Sequence, residues 1–440
     1  MSVNACSPSR ALAAAALLCS PALAQTDHWV GPPASGHPFQ SIQAAIDASA
    51  PGDRVLVAAG TYDPFVLHKP VQVSGRDSFS TKILSTDGSI PIQVVHDGTA
   101  GLRRISHFGI ETAPGAPLPA AFIKVANTPS PVELLDLIAV RDSFDAAPGG
   151  GALLDIDSAT SVVGSTLRLL ADPVDSTAQP GLEPYAGIRA VDSRVVLSEV
   201  RTAGVGAGSN SSSGTIDGAP GIEAVRSTLL LALCAAEGGE SAGGGEAGSG
   251  LVLIDSDATI HGGKVNRLAG GAVLDAGSIG ASGMFADGQS NVTWAIDVLF
   301  EASQNPFAPA VAPIDTQPTT GTDPRQDHLP SMWVIDSSAP INEWATVIVE
   351  GDPGTLHFWW LTFGTTQPIP LPGIFGPLNV DPNTSIAHAP ILIESNGQGS
   401  ASAFVPNNPA LIGLMFAYQS LEVNGATLQL APAWFATITE

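Results

Sequence analysis

One short pattern keeps returning through the middle of the chain. It reads small residue, aliphatic, any residue, two strand formers, a variable polar position, then Ser. It fits residues 152–158 (ALLDIDS), 187–193 (GIRAVDS), 221–227 (GIEAVRS) and 250–256 (GLVLIDS). A weaker copy occupies 272–278 (AVLDAGS), and degenerate copies occupy 121–127 (AFIKVAN) and 91–97 (PIQVVHD). Successive Ser positions from 158 onward lie 35, 34, 29 and 22 residues apart. A period of about 20–50 residues marks a solenoid, in which no repeat buries its apolar face alone. Each copy is followed by a second apolar run, such as Val195-Val196-Leu197 or Leu229-Leu230-Leu231. The coils are therefore built from short strands, and Gly- and Ser-rich excursions at 203–221 and 237–250 account for the uneven spacing.

The segment before the repeats has its own signature. In Phe39-Gln40-Ser41-Ile42-Gln43-Ala44-Ala45-Ile46-Asp47, the residues Ile42, Ala45 and Ile46 share one face of a short helix. Ser41 is placed as its N-cap, and Pro51-Gly52 ends it. Strand-like runs follow at 54–58, 65–67 and 71–73, punctuated by Gly60-Thr61-Tyr62 and Lys69-Pro70. This block, residues 38–75, resembles the N-terminal part of pectin-lyase-like β-helix proteins. The resemblance implies a right-handed parallel β-helix over residues 25–300, with the helix capping its open end. It implies no single reaction, because the superfamily mixes lyases, hydrolases, esterases and proteins without catalysis.

Composition narrows the function. Among 440 residues the formal net charge is −24, yet charged residues make up only 13%, against roughly 25% in an average domain. So negative a chain has no basic face for phosphates, and nucleic acid is excluded as a partner. Residues 1–24 read as a secretory signal: Arg10, an apolar stretch at 11–18, and Ala22-Leu23-Ala24 before the cleavage point. The apolar stretch is too short to span a bilayer, so no transmembrane segment is expected. Export leaves Cys234 as the single cysteine, read as a small buried hydrophobe. The localisation expected is secreted, cell-surface or periplasmic.

Residues 301–330 hold six Pro and little periodicity, the character of a linker. Residues 331–440 contain no Lys or Arg, eight acids and five of the seven Trp. Their short alternating runs, such as Thr346-Val347-Ile348-Val349, predict a small antiparallel β-sandwich. The fold class expected is therefore all-β, a parallel β-helix followed by a β-sandwich-like module.

The chemistry of known polysaccharide enzymes is hard to find. The Asp-Asp pair of polygalacturonases is absent, as are the motifs of pectin methylesterases and lyases. The strongest constellation comes from the repeat: the residue before the Ser is Asp157, Asp192, Arg226 and Asp255 on successive copies. Stacked in register, these side chains form a column about 4.8 Å apart. Two readings follow. One is a carbohydrate or Ca²⁺ site on one face; apart from that Ca²⁺, no cofactor is expected. The other, which we favour, is a polar ladder in which Arg226 relieves the repulsion of its acidic neighbours. Phe358, Trp359 and Trp360 are read as sandwich core in preference to a sugar-stacking platform. The partner expected is an extracellular polysaccharide or cell-surface component. The chain is read as a non-catalytic structural, adhesive or carbohydrate-binding envelope protein. The alternative is a polysaccharide lyase or glycoside hydrolase using those acids.

Overall fold

The structure is a computed structural model. It describes residues 25–33, 35–141, 152–171, 186–206, 217–232, 234–261, 267–274, 278–295, 299–303, 314–316, 331–334, 338–351, 353–362, 365–370, 377–380, 385–408, 415–424, 427–430 and 434–439. Residues 1–24, read above as a secretory signal, and most of 301–330, read as a linker, lie outside the described residues.

Parallel pairing between coils builds a β-solenoid, as the repeat predicts. Each coil contributes three strand stretches. One lies in the ladder that runs from Asp27–Val30 through Arg103–Thr112, Val132–Arg141, Val162–Ala171, Arg194–Ser198 and Thr228–Ala232 to Asn291–Ala295. A second branches from the same sheet and includes Arg201–Ala203, Ala235–Glu237, Arg267–Ala269 and Leu299–Glu301. The third is a separate nine-stranded sheet from Phe65–Leu67 to Ile314–Thr316. The interior is a stack of aliphatic rows, such as Ile123, Leu154, Ile188, Ile222 and Leu251, all fully buried. The strand Ile314–Thr316 pairs with Met284–Ala286, so the solenoid continues past residue 300 into the stretch read as linker.

The corners between stretches are made by non-glycine residues in the left-handed conformation. Between the first and second stretches stand His107, Asp136, Thr166 and Glu199, with φ between 47° and 63°. Between the third and first stand Asn127, Ser158, Asp192, Arg226 and Asp255, with φ between 47° and 52°. Left-handed backbone turns the chain sharply, and among non-glycine residues Asn, Asp and His adopt it most readily.

The small residue that opens each repeat also has a cause. Gly221 lies against the carbonyls of Glu237 and Gly250, where a Cβ would intrude. The Gly-rich excursions are ordered where they are described. Gly239 N–H donates to Ala219 O, Gly248 N–H to Gly239 O, and Gly271 N–H to Gly248 O, at 2.7–2.9 Å.

The helix Ile42–Ala48 buries Ile42, Ala45 and Ile46 against the first coils, and the Ser41 hydroxyl accepts from Ala44 N–H. It packs on Asp27–Val30, Arg54–Val57 and Phe65–Leu67 at the N-terminal end of the stack.

The C-terminal module is mostly antiparallel, with Trp344–Glu350 paired to Gln398–Phe404 and Leu356–Thr362 paired to Met415–Asn424. Val347, Val349, Trp359, Ile393 and Tyr418 form its core. It docks on the solenoid. Val163, Val196 and Leu230 make one outward row of the first stretch, and together with Leu135, one rung along, they cluster with Leu378 and Leu430, with Trp360 and Leu421 packed alongside. Burial on both sides is why the runs Val195-Val196-Leu197 and Leu229-Leu230-Leu231 lack the usual alternation.

Candidate functional site

The repeat column forms only in part. Val191 pairs with Val225, and Val225 with Ile254, so Asp192, Arg226 and Asp255 follow one another on successive coils as expected. Asp157 does not join them. It pairs with Val191, and Ser158 takes the corner position opposite Asp192. Alignment by the repeated Ser misplaces this copy by one residue, because Ser158 itself adopts the left-handed conformation and its Oγ turns back to Asp157 Oδ1 at 2.9 Å. The copy at 272–278 is also misplaced. Leu251 pairs with Met284, and Ser290 continues the Ser row.

Within the column, Arg226 forms a fork on Asp192, Nε to Oδ1 and a second guanidinium nitrogen to Oδ2, both at 2.7 Å. The hydrogen bonds from Arg226 hold the Asp192 carboxyl below the usual range, and the same pairing raises Arg226. Both side chains are about half exposed, at 46% and 52%. Asp255 adds a favourable field at Arg226. Its backbone N–H donates to the carboxylate of Asp287 at 3.2 Å. The arrangement is a polar ladder in which Arg226 pairs with Asp192 and stands next to Asp255.

Behind it runs the repeated Ser. The Oγ of Ser193, Ser227, Ser256 and Ser290 accepts the N–H of Ala159, Ser193, Ser227 and Ser256 respectively, at 3.0–3.1 Å. The Ser is therefore a coil-to-coil strut, and its recurrence in the sequence reflects stacking rather than chemistry.

Other acids are paired in the same manner. Lys124, Asp155, Arg189 and Glu223 stand side by side on the nine-stranded sheet with alternating sign. Their ion pairs are 3.5, 3.4 and 3.7 Å long. Alternation of charge at the middle of each repeat is the sequence signal for this row. Arg104 Nε bonds Glu133 Oε2 at 2.6 Å with both side chains largely buried, and Arg267 bridges Glu237 and Glu301.

The other corner carries groups that the repeat pattern does not single out. His107 Nδ1 lies 2.9 Å from Asp136 Oδ2, and Ser78 Oγ donates to Asp136 Oδ1 at 3.3 Å. Two coils further on, Thr166 Oγ1 donates to Glu199 Oε2 at 3.2 Å. Glu199 reaches solvent, yet desolvation by its neighbours raises its carboxyl above the usual range. The Asp136 charge adds to the rise, while Thr166 and Arg168 oppose it. The only sequence signal for this column is recurrence of a polar residue at the coil spacing.

Cys234 is buried and near Leu197 O, as expected of a core position. Trp359 is buried in the sandwich, while Phe358 is exposed and Trp360 faces the solenoid. Among the described residues no group of three or more His, Cys, Asp or Glu is arranged to hold a metal ion. No helix of the described residues is long and apolar enough to cross a membrane. No protein-family model matches the chain, and no curated protein matches it.

Proposed function

We propose that the protein is a secreted, non-catalytic carrier of the pectin-lyase-like β-helix type, structural or adhesive, in which a stiff solenoid seats a C-terminal carbohydrate-binding module. The observation that carries this reading is the Arg226–Asp192 fork. Of the acids that the repeat brings together, Asp192 is forked to the intervening Arg226 and Asp255 lies in the field of the same guanidinium, as a polar ladder requires and a catalytic carboxylate pair does not. The rows at Lys124–Asp155–Arg189–Glu223 and Arg267–Glu237–Glu301 follow the same rule.

A second reading, a glycoside hydrolase, rests on the corner at Asp136 and Glu199. These carboxyls stand two coils apart, about 9.6 Å along the stack, near the separation of inverting hydrolases. Desolvation raises the Glu199 carboxyl, as a general acid needs, and Asp136 stands beside the His107 ring. The test is incubation with uronate and neutral polysaccharides, with and without Ca²⁺, scored for reducing ends and unsaturated products. The carrier reading expects neither. Products abolished by Glu199→Gln would establish the hydrolase, and products abolished by Asp192→Ala would return catalysis to the repeat column.

A further inference from the structure

The outer face of the strand pair Trp344–Glu350 and Gln398–Phe404 carries a feature that the core of the sandwich does not need. Trp344 and Phe404 lie directly opposite each other in the antiparallel register. Their ring centroids are 5.4 Å apart and their planes meet at 60°. Both stay in water, at 66% and 47% exposure. Alternate residues Ala345, Val347 and Val349 point inward and fill the core. Leaving two large adjacent rings exposed forgoes the free energy of burying them, which points to a contact surface.

The same face continues in hydroxyls and an amide. Thr346 Oγ1 and Ser402 Oγ are 2.9 Å apart on the next rung. Ser400 and Gln398 follow, both exposed, with half-buried Ile348 opposite Ser400. From residue 344 to 350 the row extends about 20 Å at 3.4 Å per residue, enough for several sugar rings. A pyranose presents an apolar C–H face and a rim of hydroxyls. Aromatic faces take the first, and Ser, Thr and Gln side chains take the second.

Charge selects the class of glycan. Residues 331–440 hold eight acids and no Lys or Arg, and Glu343 directly precedes Trp344. A uronate or sulfated chain would meet like charge with no cation to pair it. From the exposed ring pair, the hydroxyl row and this charge, we infer that the face holding Trp344, Phe404, Thr346, Ser402 and Gln398 binds an uncharged polysaccharide chain. The inference rests on the carrier reading and gives its module a ligand class.

The test uses the full chain on cellulose, chitin, xylan and mannan, with polygalacturonate and alginate as anionic comparisons. Retention on at least one neutral polymer is expected. Trp344→Ala and Phe404→Ala should each weaken it about tenfold or more, while Trp29→Ala, an exposed Trp on the solenoid, leaves it unchanged. Circular dichroism of each variant checks the fold. No retention on any neutral polymer would overturn the inference. So would retention that both variants leave intact, preference for the anionic polymers, or self-association that Trp344→Ala abolishes. Turnover of a polymer would instead sink the carrier reading while leaving the binding face in place, so the two failures are distinguishable.

Discussion

Asp53 shows how a single side chain can hold the end of this fold. Burial works against its charge. The N–H groups of Thr26 and Ala50 and the ring of His28 outweigh that burial and hold its carboxyl below the usual range. A carboxyl depressed in the folded state stabilises above its unfolded value of 3.8, and that stability is lost as pH falls through the folded value. Asp53→Ala should therefore lower stability near neutral pH by about 1–3 kcal/mol. The gap to the wild type should close below about pH 4, as chemical denaturation at several pH values would show. A gap constant with pH would mean that the carboxylate's charge is irrelevant. Legibility at this scale was uneven. Ser41, Ile42, Ala45 and Ile46 could be read from the sequence because helix capping and periodicity are local. Asp192, Arg226 and Asp255 could be placed in one column from the repeat, but Ser158 could not, because it shares with them only the backbone angle imposed by stacking. That is why Asp157 was assigned to a column in which Ser158 stands.

At the scale of the strand, the repeat announces the solenoid but misnames its own purpose. The conserved-looking Ser of each copy is a strut between coils. Ser227 accepts Ser193 N–H and donates to the carbonyl of Val225 or Ala190. Ser227→Ala leaves a buried N–H without its acceptor and should cost about 1–3 kcal/mol, measured by thermal or denaturant unfolding. A neutral substitution would show that the row is incidental. The alternating charges at Lys124, Asp155, Arg189 and Glu223 were visible in the sequence. Their adjacency was not, because it depends on the one-residue slip between the earlier and later copies. The platform at Trp344 and Phe404 escaped for a similar reason. Sequence brings together Phe358, Trp359 and Trp360, whereas pairing brings together residues from two separated strands.

At the scale of the molecule, the apolar runs of the solenoid have two sides to satisfy. Their inward residues stack from coil to coil, and their outward residues Leu135, Val163, Val196 and Leu230 seat the C-terminal module through Leu378, Leu430, Trp360 and Leu421. The β-helix was legible from the recurrence of one strand pattern at the coil spacing, and the small antiparallel module from local alternation. The docking was not, because a missing alternation does not say which surface covers it. The central claim is that the solenoid and the C-terminal module form one body through this apolar contact. Small-angle scattering of the wild type and the Val196→Glu/Leu230→Glu variant tests it most directly. Both changes lie on the outward row and leave the inward stack intact. The account predicts unchanged circular dichroism and a larger radius of gyration in the variant, as the head leaves its seat. An identical radius of gyration in the two proteins would contradict it.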